Sequence, residues 1–164
     1  MPLHSFSDFL VVHGQLDELF LEHQRALLRL DLATAGAALE AYTIELFSHM
    51  RDEEDVMIPL YRERAEAPVG GAADIFLGEH DKLRQYIFLF KEELAKLAQA
   101  EDLERGVLFL LDSQHLFKRL LVHHDGRERK MLYPLLDQVT TEAERESLFA
   151  LLKSPPIITV ATAG

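Results

Sequence analysis

Six polar residues occupy positions where helical periodicity demands apolar ones. Apolar side chains recur at alternating steps of three and four along four stretches of the chain, which is the spacing of one buried helical face. The first stretch, Leu16, Leu19, Phe20, Leu27 and Leu30, is interrupted by His23. The second, Leu39, Tyr42, Leu46, Val56 and Leu60, takes in His49 and Glu53. The third places His80 between Phe76 and Leu83, and the fourth carries His124 and Glu128 among Leu110, Phe117, Leu121, Met131 and Leu135. A buried carboxylate is strongly disfavoured unless it is paired or holds a metal. Imidazole and carboxylate, in a chain with no cysteine, suit iron, manganese or zinc rather than calcium, which prefers all-oxygen sites. Four imidazoles and two carboxylates exceed the needs of one tetrahedral zinc. They fit two ions bridged by both carboxylates, with terminal histidines on each and positions left for water or a small ligand.

The elements that must position these groups are helices. No segment of comparable length alternates with period two, so the fold class is all-α. Four long helices with short connections predict an antiparallel up-down-up-down bundle. The connections are read at the small-residue patch Ala33–Gly36, at Pro68-Val69-Gly70-Gly71 and at Ala100–Asp102, with Asp102 as an N-cap. A lead-in helix capped by Ser5 or Ser7 precedes them. Thr141 and Glu144 have capping-box spacing, which predicts a short C-terminal helix over 142–153 ended by Ser154-Pro155-Pro156. The bundle is therefore assigned to 1–153 and an extended or disordered tail to 154–164. In antiparallel neighbours, residues equally far from the turn share a level. The midpoint of His23 and His49 is Gly36, that of His80 and His124 is Asp102, and that of Glu53 and His80 lies beside Pro68. On this reading all six side chains meet in one layer. His49-x3-Glu53-x5-Pro59 also repeats as His124-x3-Glu128-x5-Pro134, so two hairpins would offer matching ligand sets from opposite sides.

Composition excludes several other classes. The 164 residues carry 17 basic and 28 acidic side chains, a formal charge of −11, which opposes binding to nucleic acid. Hydrophobic residues make up 48% and no apolar run approaches a membrane span, so a soluble globular protein is expected, cytoplasmic by default. Zero cysteine rules out disulfides, thiolate metal sites and cysteine nucleophiles. Neither a G-x-S-x-G nor a G-x4-G-K pattern occurs. A bis-histidine haem would leave both glutamates unexplained.

The set His23, His49-x3-Glu53, His80 and His124-x3-Glu128 resembles the hemerythrin-like, or HHE cation-binding, domain family over roughly residues 16 to 136. The resemblance implies an antiparallel four-helix bundle around two non-haem iron ions, with Glu53 and Glu128 bridging and the four histidines terminal. It further implies a small diatomic ligand such as oxygen or nitric oxide, or a role in iron or redox stress. Oxygen-carrying hemerythrins pair a fifth histidine as His-x3-His on the third helix. Around His80 the corresponding residues are Phe76 and Arg84. The gap is expected to be filled by water, by another carboxylate such as Glu45, or left open.

Other polar residues receive plainer readings. His4, His13, His115 and His123 are assigned to the surface or flanks, Tyr42 to core packing, and Glu54 and Asp55 to a solvated face. Arg127, Arg129 and Lys130 read as an exposed basic patch. Two further functions stand beside the di-iron reading. One is a regulatory module whose metal-dependent folding is read by a partner. The other is a mononuclear zinc or manganese protein. Exposed Phe109 and the pair Ile157-Ile158 leave a homodimer open.

Overall fold

The computed structural model describes residues 4–157. Ser5 caps a 3-10 turn, Phe6–Phe9, through a capping box in which the Asp8 carboxylate accepts from the Ser5 N–H. Helix α1, Leu10–Leu28, follows directly. It ends in a Schellman turn, with the Asp31 N–H donating to the Ala26 carbonyl and the Leu30 N–H to that of Leu27. The residue in the left-handed conformation is Leu30, with φ of 57°, where glycine is usual. Asp31 then caps helix α2, Leu32–Asp52, by accepting from the Thr34 N–H. The first turn thus lies at residues 29–31, and Gly36, expected to mark it, sits inside α2.

Helix α2 continues through a π-helical turn, Glu53–Met57, into helix α3, Ile58–Arg64. A loop containing Gly70, at φ of 81°, leads to helix α4, Ala73–Leu97. Asp102 caps helix α5, Leu103–Arg127, which passes through a second π-helical turn, Glu128–Leu132, into helix α6, Tyr133–Val139. The rods pack α1 on α2, α2 on α4, α4 on α5 and α5 on α1, an antiparallel four-helix bundle with no strand among the described residues. Phe20, Phe90, Phe117 and Tyr42 interlock in the core, with Phe20 and Phe117 centroids 5.1 Å apart. No helix among the described residues is long and apolar enough to cross a membrane.

The capping box at Thr141 and Glu144 forms as its spacing predicts and opens helix α7, Glu142–Phe149. This helix stops four residues short of the expected 153. The chain turns back instead, and the N–H groups of Lys153 and Ser154 each donate to the Asp52 carboxylate at 2.8 Å. Asp52 is buried one residue before Glu53. Hydrogen bonds to a charged group are worth about 1.5–3 kcal/mol each. Asp52→Ala should therefore destabilise the protein by about 3 kcal/mol, read as a lowered urea midpoint with an unchanged slope. Residues 158–164, including Ile158 and most of the expected tail, lie outside the described residues.

Candidate metal centre

Both π-helical turns begin at a glutamate of the repeated pattern. In each, the residue before the proline donates its N–H five residues back, Ile58 to the Glu53 carbonyl and Tyr133 to that of Glu128. In an α-helix, residue i+5 points about 140° away from residue i. The widened turn brings it back, so the Tyr133 hydroxyl lies 3.2 Å from Glu128 Oε2. Such turns concentrate at functional sites.

The structure gathers five of the six expected ligands, His49, Glu53, His80, His124 and Glu128, and adds His13. They form two groups, each with its candidate ligand atoms within 4.8 Å of one another: His13, His49, Glu53 and Glu128, then Glu53, His80, His124 and Glu128. In the first, His13 Nε2 lies 3.1 Å from His49 Nε2 and 3.0 Å from Glu128 Oε2, and His49 Nε2 lies 3.4 Å from Glu53 Oε1. In the second, His80 Nε2 lies 3.1 Å from Glu53 Oε2, and His124 Nε2 lies 2.8 Å from Glu128 Oε1. Each carboxylate thus turns one oxygen to each group. All six residues are buried.

His23 does not join them. It is fully buried, but its Nδ1–H donates to the Ala35 carbonyl at 2.8 Å and its Nε2 accepts from Gln114 at 2.9 Å. Burial pushes its pKa down, and both ring nitrogens are satisfied in the neutral form. The correction follows from the turn. Centred near residue 31 rather than 36, it pairs His49 with His13, and the ten-residue difference is about 15 Å along the helix. His13, expected on the surface, is buried for the same reason. Glu45, a candidate for the missing donor, is exposed away from the cluster.

Outside the cluster, two acidic residues brace histidines. Glu54, expected to be solvated, accepts from His80 Nδ1 at 2.8 Å and is clamped by Arg84 at 2.8 Å through both oxygens. Glu79 lies 3.6 Å from His124 Nδ1 and accepts from Arg127 Nε at 2.9 Å, so Arg127 is not a free surface cation. A partner such as Glu54 fixes ring orientation and directs Nε2 inward. The other ring nitrogens are less tied: Nδ1 of His13, His49 and His124 makes no hydrogen bond, with His13 Nδ1 3.9 Å from Asp125. A cavity of about 10 Å³, room for one water, lies against His13, His49 and His124, walled by Tyr42, Leu46 and Leu121. His115 and His123 are exposed, on the surface as expected.

The charges are strongly coupled. Burial pulls the pKa values of His13, His80 and His124 down, but the surrounding carboxylates, Glu128 foremost, outweigh it and push them up to about 9, 11 and 10. Burial alone would raise Glu128, yet the charges of the neighbouring histidines, His124 foremost, hold it well below the usual carboxylate range. His49 is pushed down by burial. Without metal, the raised histidines set positive charge against the Glu128 carboxylate. Such a buried His/Glu arrangement is compatible with metal binding.

No curated protein and no solved structure is significantly similar to the chain. Residues 4–136, which carry every member of the two groups, match the hemerythrin HHE cation-binding domain, and the chain belongs to that family.

Proposed function

We propose that the chain is a non-haem di-iron protein that binds or senses a small diatomic ligand, oxygen or nitric oxide, or handles iron and redox stress. The observation that carries this reading is the division of each carboxylate, Glu53 and Glu128, between two groups of imidazoles. A mononuclear zinc or manganese site would use only one of these groups. Buried and without hydrogen-bond partners, Glu53 Oε2, Glu128 Oε1 and His80 Nε2 fit a site built for cations. His80 Nε2 and Glu53 Oε2 are close yet misaligned for a hydrogen bond, as two ligands of one ion would be.

His13 and His49 would hold one iron, His80 and His124 the other, and Glu53 and Glu128 would bridge them. When bound, the iron pair supplies the redox capacity and the position at which a diatomic ligand attaches. Glu54 holds His80 in orientation and Glu79 sets a negative charge 3.6 Å from His124, while Leu46 and Leu121 keep the adjoining cavity narrow. Elemental analysis of protein loaded with ferrous iron in the absence of oxygen tests the reading. About two irons per chain are expected, with a near-ultraviolet spectrum of bridged ferric iron after oxidation. One zinc or manganese per chain, with no iron taken up, would overturn it. A regulatory module would instead show iron-dependent folding without turnover.

A further inference from the structure

Tyr133 was no part of the ligand set that the sequence suggested, yet its hydroxyl lies inside the first group. It donates to Glu53 Oε1 at 2.7 Å and lies 3.0 Å from His13 Nε2 and 3.2 Å from Glu128 Oε2. The ring is fully buried and is held at the α6 start by Phe9, whose centroid is 5.9 Å away. Those three neighbours are themselves candidate ligands of one ion. One phenolic proton can serve only one of them at a time. All three candidate ligands lie within 3.2 Å of the phenol oxygen, so an ion held by them would have that oxygen within reach. The π-helical turn at Glu128 is what aims the phenol there. At the equivalent place after Glu53 the residue is buried Ile58, which has no donor, so the second group lacks any counterpart.

We propose that the Tyr133 phenol oxygen is a direct ligand of the ion held by His13 and His49. This rests on the di-iron reading above. On ferric iron the O–H bond breaks, an iron–oxygen bond forms, and the proton leaves to solvent; the oxidation state of the metal does not change.

The test is resonance Raman and visible absorption of the intact protein, loaded with iron and oxidised, with iron per chain measured on the same samples. Wild type should show a phenolate-to-iron band in the visible, with tyrosine ring modes that shift when tyrosine is ring-deuterated. Loaded with enough excess iron to offset the weakened affinity, Tyr133→Phe should lose the band yet keep about two irons, whereas Tyr42→Phe should keep both. Two irons in wild type without tyrosine modes would overturn the Tyr133 assignment and leave the di-iron reading standing. A band that survives in Tyr133→Phe would do the same. Failure of wild type to take up iron would sink both. Isotope-labelled wild type gives the answer even if Tyr133→Phe does not fold.

Discussion

His13→Ala is expected to bind no more than one iron per chain, while His23→Asn keeps both. The first substitution removes one of two imidazoles from a buried group and leaves Glu128 without the His13 nitrogen 3.0 Å away. Changes to outer partners of metal ligands already cost about 10–100-fold in affinity, so loss of the ligand itself should cost more than about 100-fold. The second substitution acts elsewhere. Asparagine can still donate to the Ala35 carbonyl but abandons Gln114, which should cost about 1–3 kcal/mol of stability. Iron per chain separates them, and the reverse pattern would restore His23 to the site. Urea unfolding of the metal-free proteins checks the stability cost independently.

Acid is expected to strip the metal and alkali to weaken the metal-free protein. At neutral pH His13, His80 and His124 of the metal-free site are protonated, with pKa values of about 9, 11 and 10. An ion can bind only by displacing those protons. Apparent affinity should therefore rise with pH, roughly tenfold per pH unit for each proton released. Stability of the metal-free chain follows the other sign. A histidine raised above its unfolded value stabilises fully below about pH 6.5, and that contribution is lost as pH climbs through its folded value. For these three residues the loss spans about pH 7 to 11. Depressed Glu128 contributes above its unfolded value and loses that contribution in acid, and neutral buried His23 and His49 also oppose acid. At a thousandfold excess over Kd, bound metal adds about 4 kcal/mol, a rise of roughly 10 °C in melting temperature. Melting of chelator-treated and loaded protein at pH 6.5 and 9.5 checks this. A metal-free protein that melts higher at pH 9.5 would contradict the assigned charges.

Much of this was legible because burial leaves a strong mark on a helical pattern. His49, Glu53, His80, His124 and Glu128 were found as polar interruptions of apolar stripes, and the repeated pattern ending in Pro59 and Pro134 marked both π-helical turns without revealing their geometry. The first turn is not legible at its true place because its left-handed residue is Leu30, which carries no signal, whereas Gly36 carries a false one. That single error exchanged His13 for His23. His13 stands between Val12 and Gly14, one turn before Leu16, and lies three residues before it on the same stripe. Continuing the stripe backward was the available clue. Tyr133 could not be reached by counting, since a regular helix turns position i+5 away from Glu128. Glu54 and Glu79 were hidden by their charged surroundings, because only the fold shows which acidic residue faces an imidazole.

Ownership of the six groups divides along the chain. His13 and His49 come from the first hairpin and His80 and His124 from the second, while each hairpin sends one oxygen of its glutamate across to the other's pair. Occupied by cations, the site would act as a rivet between two halves that otherwise meet mainly through apolar packing. Emptying it would remove that tie and leave the alignment of the two halves to packing alone.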